Sequence, residues 1–339
     1  NVYRKVTRKI YDFSPEQEQN LLAIVWLYRG ETQRYLDLVA GYCRHTLDEA
    51  ARCFEHQTDE GETIHPLPDF TAALTALLDT LQPFLDTLPQ DAHVPEEERQ
   101  MLKAAEASPQ YNSPSPLAGE GGGEGAEMKV AETMKELIEA LPAFKSDVEK
   151  FNKDLAEQQA AWKKQKTTNG ELKKAVDRLA PLAEASRDLI KQTDLLYKLA
   201  GRLIEETVAR MERERNPGFT TRDITRARKA ADEARAQSVE QLKQVRYFWK
   251  QAHWLTERFP EAKLRDVEGL VKLVTRKELE ANDWSLTPGR YVGVAPEEPD
   301  EDFDFEEALR EIHVELEDLN AEAVYLAATI KRNFEELGV

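Results

Sequence analysis

Only two cysteines stand in 339 residues, Cys43 and Cys53, too few for a disulfide scaffold. On a helix they lie about 15 Å apart at 1.5 Å rise per residue, beyond the reach of a disulfide, which fits a reducing compartment. No apolar run approaches the roughly 20 residues that cross a bilayer, and no signal peptide heads the chain, so a cytoplasmic location is expected. A dominant cluster of Lys and Arg is also missing, and the net charge is −18. Between residues 297 and 339 fifteen acidic residues face three basic ones, a surplus of twelve negative charges in the last stretch. The bulk of the chain is therefore a poor reader of DNA by itself, because phosphate contacts need clustered cations that displace counterions. Arg4-Lys5 and Arg8-Lys9 are a local exception, read as a solvated strand face. With 41% hydrophobic and 32% charged residues the chain folds, and it is long enough for two or more units. It begins at Asn1 rather than Met, and residues 1–10 read as an extended segment with nothing before it to pair with, as in a piece of something longer.

Catalytic and metal-binding patterns are equally scarce. Cys43, His45, Cys53 and His56 offer zinc-type ligands, but on one helix Cys43 and His45 point about 200° apart and Cys53 lies three turns on, so they do not converge. His253 and His313 stand alone, without the Glu spacing of di-iron bundles. The glycines between residues 119 and 125 are interleaved with two glutamates and lack the Gly-Lys-Ser/Thr ending of a phosphate loop, so they read as linker. No serine or cysteine sits in a nucleophile elbow or triad context. Neither catalytic, cofactor-binding nor metal-binding residues are expected in this chain.

What the sequence does hold is helix. Ser14, Pro15 and Gln17 form an N-cap, a first-turn proline and a capping-box partner, and Gly30 is placed to stop the helix that follows. A second helix is expected over residues 31–56 and a third over 69–88, with Pro83 as a kink. Residues 108–125, rich in Ser, Pro and Gly, read as a flexible linker. After it Met134, Ile138, Leu141, Phe144, Val148, Phe151, Leu155 and Trp162 keep spacings near three and four. A turn at residues 167–170 leads to a second stripe through Leu172, Val176, Leu179, Ala183, Ser186, Ile190, Thr193, Tyr197, Ala200, Ile204 and Met211. A third, starting from Thr221, runs through Leu242, Val245, Trp249, Ala252 and Phe259. Helices of about forty residues are roughly 60 Å long, so the expected fold is mainly α, a long antiparallel helical bundle or coiled coil with a short N-terminal extended segment and a C-terminal heptad helix. A short helix is expected over residues 267–274, then turn chemistry at Trp284, Pro288, Gly289 and Tyr291. Last comes a heptad stripe through Phe305, Leu309, Ile312, Leu316, Leu319, Ala323, Leu326, Ile330, Phe334 and Leu337, a seam that needs a partner from its own bundle or another chain.

One resemblance is carried by Asn282-Asp283-Trp284-Ser285-Leu286, then Arg290-Tyr291-Val292, an acidic stretch and the heptad segment ending Phe334-Glu335-Glu336-Leu337-Gly338. This order resembles the C-terminal part of the modification subunits of type I restriction-modification systems, which are adenine-specific N6 DNA methyltransferases. Asn1-Val2-Tyr3-Arg4-Lys5 through Asp12-Phe13-Ser14 resembles the segment leaving their methyltransferase core. Together these cover about a quarter of the chain. The resemblance implies that the intact protein transfers a methyl group from S-adenosylmethionine to adenine through an upstream α/β core, and that a specificity subunit selects the DNA. It also implies that Leu309, Ile312, Leu316, Leu319, Leu326 and Ile330 complete a bundle with that specificity subunit, beside a second modification subunit, with DNA met only through the assembled complex. Trp284 and Tyr291 either belong to this partner surface by fixing the exit angle of the last helix or simply anchor the turn to its own domain. Asn216-Pro217-Gly218-Phe219 departs from the family's Asn-Pro-Pro-aromatic loop, since Gly218 replaces the second proline and the segment joins two long helices, so it reads as a helix break.

The chain then parses as the tail of the core (1–30), a helical region (31–107), the linker (108–125), a long three-helix insertion (126–260), a short helix and turn (261–295), and the acidic run with its heptad helix (296–339). A free-standing coiled-coil adaptor and an unrecognised helical enzyme remain open beside the methyltransferase assembly region. Since the chain lacks strand-ended loops that hold a methyl donor, calorimetry of the isolated chain with S-adenosylmethionine is expected to give no specific heat. Saturable micromolar binding contradicts this reading.

Overall fold

The computed structural model describes residues 4–5, 11–58, 61–86, 124–213 and 221–294. Helices carry most of them: α1 Pro15–Tyr28, α2 Thr32–Arg52, α3 Pro66–Leu85, α4 Glu124–Trp162, α5 Asn169–Arg213, α6 Thr221–Arg258 and α7 Arg276–Ala281. Among the described residues strands are confined to two antiparallel pairs, β1 Arg4–Lys5 with β2 Tyr11–Asp12 and β3 His56–Gln57 with β4 Thr63–Ile64. The protein is mainly α. It divides into two compact units, Asn1–Leu264 and Arg265–Val339.

In the first unit the helix signals act locally as their chemistry requires. The Ser14 hydroxyl accepts from the Gln17 amide and the Gln17 side chain accepts from the Ser14 amide, a complete capping box at α1. Gly30 takes φ +78°, and the Gly30 and Glu31 amides donate to the Leu27 and Trp26 carbonyls, the left-handed cap that ends α1. Expected bounds of the second and third helices shift, the third ending at Leu85 rather than residue 88. The second helix stops at Arg52, not residue 56, because His56 and Gln57 pair with Thr63 and Ile64. The third begins three residues early, since Pro66 suits the first helical turn and the Asp69 carboxylate accepts from the His65 amide. Most of the expected linker lies in residues 87–123, outside the described residues, as does the Asn216-Pro217-Gly218 break.

The long helices pack side by side: α4 on α5, and α5 on α6, while α6 also packs on α2 and α3. Burial follows this arrangement. On α4 the buried face is Val130, Thr133, Leu137, Phe144, Phe151 and Leu155, so Leu137 turns inward where Ile138 was expected, and Ile138 is 58% exposed. Along α5, Leu172, Val176, Leu179, Ala183, Ser186, Thr193, Ala200, Ile204 and Met211 are buried, joined by Leu182, Leu189, Leu196 and Leu203. The stripe is wide because α5 meets neighbours on more than one side. Its buried hydroxyls are satisfied within the helix: Ser186 donates to the Ala183 carbonyl, Thr193 to Leu189 and Thr207 to Leu203.

Polar ties fix α6 against its neighbours. Tyr35, fully buried on α2, donates its hydroxyl to the Leu255 carbonyl at 3.0 Å and the Phe259 carbonyl at 3.3 Å, at the end of α6, as a second donor to carbonyls that also accept from the Phe259 and Ala262 amides. Ser238 donates to the Pro66 carbonyl at 2.6 Å, and the Gln241 amide donates to the Glu49 carboxylate at 2.6 Å. Buried Arg246 reaches Glu184 on α5 at 2.8 Å. At the start of α1, Ser14 Oγ donates to Tyr247 Oη at 2.6 Å, and the Tyr247 hydroxyl donates to the Glu16 carboxylate at 2.8 Å.

Phe70 on α3 is fully buried and meets Phe144 on α4 edge-on, ring centroids 5.8 Å apart. Phe70→Ala opens a cavity in the layer joining the two helices and is expected to cost about 3–5 kcal/mol, measured by chemical denaturation. A loss under about 1 kcal/mol would mean that this layer closes up freely.

Candidate partner-binding surface

Within the second unit, residues 265–294 form a small folded turn. Its beginning differs from the helix expected over residues 267–274: Val267 and Val271 make an antiparallel bridge, and the helix, α7, comes later. The cause is capping chemistry, because Thr275 and Glu278 form a capping box that starts a helix at Arg276. One Glu278 carboxylate oxygen accepts from the Thr275 amide at 2.7 Å and from its hydroxyl at 2.8 Å, and the Thr275 hydroxyl accepts from the Glu278 amide. The Thr275 amide, then its hydroxyl, with the Lys272 ammonium 3.7 Å away, hold Glu278 below the usual glutamate range.

The helix ends sharply. Asn282 closes it by donating its side-chain amide to the Glu278 carbonyl, and Asp283 and Trp284 follow at φ +53° and +58°. Two successive non-glycine residues in the left-handed region carry backbone strain of about 1–3 kcal/mol each. The Trp284 amide donates to the Leu279 carbonyl at 2.8 Å, which fixes the reversal. Tyr291 then donates its hydroxyl to the Ser285 carbonyl at 2.6 Å, and the Gly269 amide donates to the Val292 carbonyl at 2.6 Å, closing the turn on itself.

Trp284 and Tyr291 therefore stand in one small turn with different surroundings. Tyr291 is half-buried and bonded within the turn, whereas Trp284 is 53% exposed with the Arg276 guanidinium 5.6 Å from its ring centre. No residue of 265–294 is buried, so hydrogen bonds rather than an apolar core hold this segment. Leu273, Leu286 at 82% and Val294 at 89% share its exposed apolar surface. Leu286 stands in the motif that carries the resemblance and Leu273 in the helix expected over residues 267–274, but neither these two nor Val294 is a partner-surface residue on the sequence alone. Leu309, Ile312, Leu316, Leu319, Leu326 and Ile330 lie outside the described residues.

Other residues weighed for chemistry are occupied in packing. Cys43 and Cys53 are free and buried, and burial pushes the Cys43 thiol up to about 12, far from the reactive thiolate. His45 stacks on Phe248, and the His56 ring lies against the Arg52 carbonyl. Among the described residues no group of three or more His, Cys, Asp or Glu is placed to hold a metal. In the first unit α1 leaves Leu22, Val25 and Tyr28 exposed on its outer side.

No family model matches the chain, and no solved structure matches it. Over 73 residues, 22% of its length, the chain is 38% identical to the type I restriction enzyme HindI methylase subunit of Haemophilus influenzae. The match spans 16% of that protein. It relates part of the chain to a type I methylase subunit.

The depressed Glu278 carboxyl gives the turn a pH dependence of definite sign. The folded value lies below the unfolded one, so the cap contributes above the unfolded value and is lost as pH falls through the folded value. Amide protection over residues 276–281, taken relative to the intrinsic exchange rate at each pH, is expected to fall on acidification. Glu278→Gln, which keeps an acceptor without a titrating group, should flatten that dependence. Equal acid sensitivity in the two proteins contradicts the assignment.

Proposed function

We propose that this chain is the non-catalytic helical assembly region of a type I restriction-modification DNA adenine N6-methyltransferase subunit, packing on the specificity subunit. The observation that carries the reading is the unburied apolar surface of residues 265–294, centred on Trp284 and Leu286, in a chain related to a type I methylase subunit. A strained, self-bonded turn that buries nothing of its own suits a surface completed by another protein. The heptad spacing from Phe305 to Leu337 supplies a second apolar stripe directly after it.

On this reading the parent protein holds S-adenosylmethionine in a separate α/β core, and this region positions that core. A second modification subunit completes the assembly, with Leu22, Val25 and Tyr28 of α1 as apolar surface available to it. DNA is met through the assembled complex, in the cytoplasm.

Burying one leucine contributes about 1.5–3 kcal/mol, so losing two weakens association by several factors of ten. The test compares Trp284→Ala with Leu286→Asp, and Leu316→Asp with Leu319→Asp, each pair in the intact modification subunit, by co-purification with the specificity subunit and by cofactor binding. Both pairs are expected to lose assembly and keep cofactor binding. Unchanged assembly in both pairs overturns the proposal.

A further inference from the structure

The connection between α4 and α5 collects positive charge that the chain as a whole lacks. Between residues 163 and 178 stand Lys163, Lys164, Lys166, Lys173, Lys174 and Arg178 against Glu171 and Asp177, in a chain of net charge −18. The hairpin folds this run onto one end of the helix pair: Lys163 and Lys164 follow the last turn of α4, Lys166 lies in the connection, and Lys173 and Lys174 come just after the first turn of α5. Local helix stability does not account for all of these. Cations after the end of α4 suit its negative terminus, but cations close to the start of α5 face the positive end of the helix dipole.

The tip is held rigidly from inside. Arg178 donates to Gln158 at 2.8 Å and to Gln165 at 3.0 Å, the Gln165 amide donates to the Glu171 carbonyl, and Asn169 donates to the Pro260 carbonyl at 2.9 Å beyond α6. Lys174 pairs with Glu171 at 2.9 Å, and Lys166 and Arg178 add to the positive field on that carboxylate. Lys163, Lys164, Lys166, Thr167, Thr168 and Lys174 are exposed, whereas Leu172, Ala175 and Val176 are buried.

We propose that this α4–α5 tip contacts the phosphate backbone of double-stranded DNA without reading its sequence. The inference rests on the proposed function and adds the place where the assembly region meets its DNA. Backbone contacts need lysine charges and hydroxyl or amide donors, which is the composition of this tip. An anionic membrane calls for an apolar face that enters the bilayer, and the tip exposes none; a peptide partner calls for an apolar anchor site, also missing here. Charges more than about 10 Å away are screened at 0.1 M salt, so the cluster acts by its local charge in spite of the acidic total.

The experiment measures binding of the full 339-residue chain to a fluorescent duplex of arbitrary sequence by anisotropy, alongside phosphatidylserine vesicles. Neutralising about four phosphates predicts roughly a hundredfold weakening between about 50 and 200 mM salt. Lys163→Glu, Lys164→Glu, Lys166→Glu and Lys173→Glu together should weaken duplex binding by at least about tenfold, and the four Lys→Gln changes by less. The same reversal at Lys135, Lys145, Lys153 and Lys229 changes net charge equally and should leave binding nearly intact, with circular dichroism reporting the fold of every variant. Absent duplex binding at low salt, equal losses in both reversed sets, or vesicles preferred over duplex would each overturn the proposal. Co-purification with the specificity subunit, measured on the same tip variant, separates the two ideas: failed duplex binding with intact assembly removes the tip contact and leaves the proposed function standing.

Discussion

Everything in the first unit depends on α6 being buried from several directions at once. It packs on α5, α2 and α3, so elements far apart in the chain share one helix as their common surface. That demand explains its composition: Ile224, Ala231, Ala234, Val239, Leu242, Val245, Ala252 and Leu255 are buried, with small residues allowing close approach. The polar groups on its packed faces are turned away from water, while Arg222, Lys229, Glu233 and Lys243 stay exposed on the remaining face. Ser238, Gln241 and Arg246 are instead matched by Pro66, Glu49 and Glu184, and the carbonyls near its end by Tyr35. Each match offsets a desolvation cost and selects one register of the neighbouring helix.

The second unit follows a different rule in its described part. Residues 265–294 bury no side chain, and their shape comes from the capping box, the two left-handed residues and the Tyr291 bond to the Ser285 carbonyl. A segment of this kind has a defined surface but little internal apolar stabilisation, and its largest side chain, Trp284, stays half exposed. The first unit buries its apolar residues between helices, whereas residues 265–294 keep Leu273, Trp284, Leu286 and Val294 exposed.

The α4–α5 hairpin adds a third feature, charge concentrated by a turn. Lysines spread over a dozen positions are unremarkable in a chain with 46 basic and 64 acidic residues. Folded back on each other they become a local positive surface, held by Arg178, Gln158 and Gln165. Linear proximity alone does not reveal which of these charges share a face, so the cluster becomes visible only in the folded hairpin.

Local chemistry was legible from the residues alone. Ser14-Pro15-Gln17 marked a helix start, Gly30 a helix stop, and the three- and four-residue spacing marked the long helices, because these signals act within one or two turns. The mainly α class followed from them. The folded structure decided what these local helix signals leave open: that His56 leaves the helix to pair with Ile64, that Val267 meets Val271 in a bridge, and that Leu137 rather than Ile138 faces inward. It also decided that Tyr291 is spent within its own turn while Trp284 remains open. The physical reason is pairing with a nearby segment for His56, Val267 and Tyr291, and packing against other helices for Leu137. An apolar or polar residue shows its type in the sequence, but its burial is fixed by whichever surface arrives from elsewhere in the chain.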